Sequence, residues 1–192
     1  MAIRRVGVIG GGQLAWMMAL EAPALGLELV VQTPNATDPA VALAAHAVLA
    51  PIDDPIATAK LAQLCDAIAF ENEFVDLEAL SSLERQGVCF RPLLSALSPL
   101  LDKYHQRCYL RDLGLPVPAF QALEPGVEIP DVTFPIVMKA RKYGYDGQGT
   151  AILSDRVSLE ETWRKWGNPS VLLEAFVPFD RELAVVVARS VS

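Results

Sequence analysis

A chain of 192 residues, 52% hydrophobic with a net charge of -7, is long enough for one large or two small domains with real cores, and too acidic for general nucleic-acid binding. Its apolar runs are broken by charge, Pro or Gly well short of a bilayer crossing, and its N-terminus lacks a signal-peptide pattern, so the expectation is a cytoplasmic protein with no membrane partner. Cys65, Cys89 and Cys108 are odd in number and lie among apolar residues, which predicts buried reduced thiols; His46 and His105 have no second ligand at metal spacing, so no zinc site is expected.

Residues 6–9 read as a buried strand, followed by three glycines and a helix from about Gln13 with Leu14, Met17 and Met18 on one apolar face. Residues 27–31 give a second strand and 47–50 a third. Residues 55–64 give a helix with Ala57, Leu61 and Leu64 on one side, and 67–70 a fourth strand. Asp76 caps a further helix to about Glu84, residues 88–90 form a fifth strand, and Asp102 caps a helix running to Leu113. Strands alternating with helices predict a parallel sheet covered on both faces.

Gly114-Leu115-Pro116-Val117-Pro118 ends that helix, because glycine stops it and the prolines cannot continue it, so the domain boundary is placed there. The expected domains are 1–115 and 116–192. In the second, residues 133–139, 150–153, 171–174 and 182–188 read as strands. Ser158-Leu159-Glu160-Glu161 has the capping-box pattern and opens a helix with Leu159, Thr162, Trp163 and Trp166 on one face. The fold class is α/β: a Rossmann-like parallel-sheet domain followed by a small α+β lobe. The run Leu183 to Ala188 is apolar on both alternating sets, as in a central strand, and little chain follows to cover it. The expectation is a lobe completed elsewhere, with this chain the N-terminal part of a longer protein, a truncated product, or one completed by a second chain.

Four groups of residues bear on chemistry. Lys139 stands where a strand becomes a loop containing Gly144, Gly147 and Gly149, with Arg141 and Lys142 adding positive potential. That pattern fits a phosphate-binding flap and equally a β-hairpin with a turn at Asp146-Gly147. Gly10-Gly11-Gly12-Gln13-Leu14-Ala15 satisfies a dinucleotide-binding fingerprint at a strand-to-helix turn, but the second strand ends in Gln32 and Thr33, not in the acid that holds a ribose. The turn then reads as an anion or polar-ligand site with Gln13 as a directional partner, or as a turn that needs glycine for packing alone. Glu71 and Glu73 follow the fourth strand, placed to hold an amine or sugar hydroxyls, or else solvated. Lys103 and Arg107 share a helix face, and Glu174 ends a strand ahead of Ala175, Phe176, Val177 and Glu182, an order that suits an adenine pocket or a surface hairpin.

Taken in series, GGGQL, E-x-E, D-K-x-x-x-R, G-x-P-x-P-x-F, a strand-end lysine with GYDGQG, and E-x-x-x-x-x-x-x-E, the chain resembles the ATP-grasp superfamily and, within it, the N5-carboxyaminoimidazole ribonucleotide synthetase family. The resemblance covers nearly the whole chain. It implies an ATP-dependent ligase that activates bicarbonate as carboxyphosphate and carboxylates 5-aminoimidazole ribonucleotide in purine synthesis. It implies ATP contacts at Lys103, Lys139, Gly144, Tyr145, Asp146, Gly147, Gln148, Gly149, Thr150, Glu174, Ala175, Phe176, Val177 and Glu182. Gln13, Leu14, Glu73 and Tyr145 correspond to positions near aminoimidazole ribonucleotide, with Glu73 toward its amine. Arg107 stands where the family usually has lysine. The family's magnesium-binding carboxylates and the basic residues for the substrate phosphate match nothing in this chain, so no metal ligand and no catalytic residue is assigned to it, and Mg2+ is expected to be held elsewhere. The other classes weighed are a non-catalytic nucleotide-binding fragment and a dinucleotide oxidoreductase domain; a homodimer is among the assemblies the resemblance allows.

Overall fold

The computed structural model describes residues 3–142 and 149–187. The chain divides into two compact units, Met1–Gln106 and Arg107–Ser192.

The first unit runs β1 (Arg5–Ile9), α1 (Gln13–Glu21), β2 (Glu28–Thr33), β3 (His46–Leu49), α2 (Pro55–Leu64), β4 (Ala67–Phe70), α3 (Leu77–Arg85) and a short α4 (Leu94–Leu97). Its four strands are all parallel, in the order β3-β2-β1-β4. Successive residues of a strand face opposite sides, and β1 and β2 are buried on both over residues 7–9 and 29–33, which is why their centres are apolar; β3, at the sheet edge, is mostly exposed. Ile9, Val30, Leu61, Ile68, Leu80 and Phe90 share one core with α2 and α3, while Val8, Ala15, Ala19, Leu29 and Val31 form another with α1. The helices start where acids cap them: Asp54 Oδ1 accepts from the backbone N–H of Ile56 (2.8 Å) and Ala57 (3.2 Å), and Asp76 Oδ1 from those of Glu78 (3.0 Å) and Ala79 (3.1 Å).

Three expectations fail here. The buried face of α1 is Ala15 and Ala19, whereas Leu14, Met17 and Met18 point outward with Trp16. The helix is apolar all round, so no periodicity selects a face, and the small side chains win the sheet side because they allow close approach. Residues 88–90 form no fifth strand: Phe90 makes a single parallel bridge to Ile68, flanked by the bonds from Ile68 N to Cys89 O and from Arg91 N to Ile68 O, both 2.8 Å. Pro92 has no N–H with which to extend the ladder. Leu64, expected on the core side of α2, is 40% exposed.

The second unit holds β5 (Phe120–Leu123), β6 (Ile136–Ala140), β7 (Thr150–Leu153), α6 (Arg156–Lys165) and β8 (Val171–Ala175), in an antiparallel sheet of order β5-β8-β6-β7. The helix α5 (Lys103–Asp112) spans the division between the units. Asp102 caps it, accepting from Tyr104 N at 2.8 Å and His105 N at 3.3 Å, and Gly114 ends it at φ +74°, with Leu115 N donating to Leu110 O at 3.1 Å. One face of the sheet packs Leu123, Ile136, Met138, Leu153, Val171 and Leu173 against Leu159 and Trp163 of α6. Trp163 Nε1 donates to Pro169 O at 2.8 Å, and Trp166 packs against the same core.

Three details differ from the sequence reading. β5 was not expected. The cap of α6 is Asp155, three residues ahead of Ser158: Asp155 Oδ1 accepts from Ser158 N (2.8 Å) and Ser158 Oγ from Asp155 N (3.3 Å). Residues 181–187 form no strand, and Leu183, Val185, Val186 and Val187 are exposed. An apolar segment becomes a strand only beside a ladder partner, and among the described residues none lies next to it. The three cysteines are free and half-buried, and no helix is long and apolar enough to cross a membrane among the described residues.

Candidate functional site

In the first unit the carboxyl ends of β1 and β4 meet at the glycine turn. Gly10 adopts φ +122°, and its N–H donates to Gln32 O at 2.9 Å. A methyl group added at Gly11 would come within 2.7 Å of Thr33 Cβ, and one at Gly12 within 2.5 Å of Glu71 Oε1. Gly11 is therefore held by the Thr33 side chain, and Gly10 by its positive φ and by Glu71 Cβ, whereas at Gly12 the obstacle is the end of a flexible side chain. Gln13 and Leu14, the first two residues of α1, are exposed, and no side chain caps the helix at Gly12.

Glu71 continues from β4, its N–H bonded to Ile9 O at 2.9 Å, and its half-buried carboxylate lies directly against Gly10 and Gly12. Glu73 is exposed two residues on. The E-x-E pair thus splits into one carboxylate on the turn and one in solvent, a distinction that strand alternation does not reveal because residues 71–76 are irregular.

Gln32 is completely buried: Nε2 donates to Pro51 O (2.7 Å) and Asp54 O (3.3 Å), and Oε1 accepts from Thr58 Oγ1 (2.9 Å). Asp38 is taken up by a bond from Thr33 Oγ1 and a longer one from Asn35 Nδ2 at 3.4 Å. Neither side chain is placed as the ribose acceptor of a dinucleotide site.

In the second unit three charged groups converge. Val137 pairs with Glu174 and Lys139 with Leu172 across β6 and β8, so Lys139 and Glu174 stand on the same sheet face, away from the α6 core. Lys139 Nζ lies 2.5 Å from Glu174 Oε2, and Arg107 Nε, from α5, is bonded to Oε1. One turn along α5, the Arg111 guanidinium lies over the Phe120 ring, 5.5 Å from its centroid. Glu174 is 3% exposed, against 24% for Lys139 and 23% for Arg107, so a buried carboxylate sits under two cations that reach solvent. Burial pushes its pKa up, but the Arg107 and Lys139 bonds outweigh that and hold it below the usual glutamate range.

The sheet pairs Lys139 with Thr150, and residues 141–149 form the connection from β6 to β7. That is longer than a tight hairpin needs. Gly149, at φ +73°, accepts from Ala140 N at 2.7 Å. Gly144, Tyr145, Asp146, Gly147 and Gln148 lie outside the described residues. Arg141, expected to add positive potential, is paired to Glu124, which also accepts from Ser170 Oγ; Lys142 is exposed. Ala175 closes β8, while Phe176, Val177 and Glu182 follow it exposed and without regular structure.

A sequence profile of the ribonucleotide synthetase preATP-grasp domain matches residues 3–98, and one of the ATP-grasp domain matches residues 108–192. The class is therefore a preATP-grasp unit followed by ATP-grasp sequence. N5-carboxyaminoimidazole ribonucleotide synthase of Synechococcus elongatus is 54% identical over 194 residues, covering 99% of this chain and 49% of that protein, and its counterpart in Synechocystis is 56% identical over 186 residues, covering 96% and 47%. A crystal structure of an ADP complex of N5-carboxyaminoimidazole ribonucleotide synthetase superposes with a TM-score of 0.84 at 29% identity, over 92% of this chain and 48% of that one. The chain belongs to the N5-carboxyaminoimidazole ribonucleotide synthase family. It spans about half the length of these relatives.

Proposed function

We propose that the chain serves an ATP-dependent ligase of the cytoplasm that carboxylates 5-aminoimidazole ribonucleotide with bicarbonate, yielding N5-carboxyaminoimidazole ribonucleotide for purine biosynthesis. The observation that carries this reading is the pairing of Arg107 and Lys139 over one buried carboxylate, in a chain whose relatives bear that enzyme's name. Two cations held side by side suit the triphosphate, and a glycine loop suits closure over it to exclude water. Lys103, the residues from Gly144 to Thr150, the stretch from Glu174 to Val177, and Glu182 complete the proposed ATP contacts. Gln13, Leu14, Glu73 and Tyr145 are the proposed contacts to aminoimidazole ribonucleotide. The functional limits we favour, 1–115 and 116–192, keep α5 intact with the cations it carries.

ATP fits the groups present. For magnesium we propose ligands in the part of the family's length that this chain does not span. No step is derived through it. A homodimer is the proposed assembly.

Titration of the 192-residue chain with a fluorescent ATP analogue tests the reading. Saturable binding is expected, weakened about tenfold or more in K139A, since a hydrogen bond to a charged group contributes roughly 1.5–3 kcal/mol. Equal affinity in the variant, or no binding by the parent chain, would refute it. A second reading, a nucleotide-binding unit without turnover of its own, is favoured for the isolated chain by its half-length match. ATP-dependent consumption of aminoimidazole ribonucleotide by that chain would overturn it.

A further inference from the structure

The N-terminus of a helix attracts anions, and a glycine turn ahead of it ordinarily admits a phosphate. In this chain the place is already occupied. Glu71 arrives from β4 with its carboxylate against Gly10 and Gly12, and Thr33 closes the other flank at Gly11. α1 has no acidic residue in its own first turn and no side-chain cap, and the negative charge set against its turn comes from Glu71, just past the end of β4. A phosphate approaching the turn would meet both the bulk of Glu71 and its like charge, and an unscreened pair of negative charges at close range is repelled more strongly near a protein surface than in bulk water.

We infer that Glu71 is a specificity-determining residue that bars phosphate from the N-terminus of α1, so that a phosphorylated ligand of this unit approaches the turn by its sugar or base end. The identity of that ligand rests on the function proposed above; the exclusion of phosphate does not. Gln13, exposed at the first position of α1, is then left to read neutral donors and acceptors. The glycine fingerprint, which in sequence reads equally as an anion site, becomes a site from which anions are turned away.

The test uses the 15N-labelled chain and inorganic phosphate alone, in the absence of ATP. The amides of Gly11, Gly12 and Gln13 should stay unmoved by phosphate in the wild type. In E71A they should shift saturably, because the bared helix terminus then favours an anion at its first turn. E71S is made alongside, so that one folded replacement suffices, with folding checked by its thermal melt. Saturable shifts at these amides in the wild type overturn the inference without recourse to either variant, as does a folded E71A or E71S whose amides stay still. Failure of the chain to bind ATP would defeat the proposed function and leave this result standing.

Discussion

Glu174 shows how a buried charge is kept. Its carboxylate is almost wholly out of water, which alone would favour the neutral acid, yet both oxygens are engaged by cations. A group whose folded-state pKa is lowered contributes stability above its unfolded value, 4.5 for this glutamate, and loses that contribution as pH falls through the folded value. E174Q should therefore cost on the order of 2 kcal/mol near neutral pH, with the gap from wild type closing on acidification below pH 4.5. Denaturant melts at several pH values measure it, and a constant gap would show that the carboxylate's charge is not what matters. Sequence reads Glu174 only as a strand-end residue of an adenine pocket or a surface hairpin, because a string of residues does not show that two cations will claim both oxygens. Glu71 was likewise visible as half of a pair. That it, and not Glu73, meets the glycines follows from the irregular path after β4, which no period describes.

At the scale of elements, caps and apolar runs were the most legible. β1, β2 and β4 are short, doubly covered strands, and their continuous apolar residues announced a parallel sheet. Asp76 and Asp102 mark helix starts where the sequence pointed. α6 was found but opened three residues late, since Ser158 and Asp155 both carry a capping side chain and only geometry shows that Asp155 accepts while Ser158 reciprocates. D155A should lower the stability of the second unit by about 1 kcal/mol, as loss of an N-cap typically does. A thermal melt checks it, and an unchanged midpoint would mean that Ser154 or the tertiary contacts of Leu159 and Trp163 carry the helix alone. β5 was missed because Phe120-Gln121-Ala122-Leu123 is a weak strand in isolation; only Leu123 is fully buried, and pairing with β8 decides the outcome. The run 182–188 failed in the opposite sense: its pattern is that of a covered strand, and strand formation depends on a neighbour, which local sequence cannot supply.

For the molecule as a whole, acidity and exposed apolar chain pull in opposite directions. A net charge of -7 at neutral pH keeps copies apart, whereas Leu183, Val185, Val186 and Val187 stand 80% exposed or more and offer an unpaired, β-prone edge. As pH approaches the isoelectric point near 4.8 the repulsion fades, so light scattering should peak there, and a chain ending at Asp180 should scatter less. Equal scattering by the two would move the liability elsewhere, with the outward Leu14, Met17 and Met18 of α1 next in line. The tryptophans meanwhile divide between the units, Trp16 on α1 in the first and Trp163 and Trp166 by the α6 core in the second. Replacing Trp16 with phenylalanine leaves all indole emission in the ATP-grasp segment, so heat, acid and nucleotide can each be watched at one unit while the other stays optically silent.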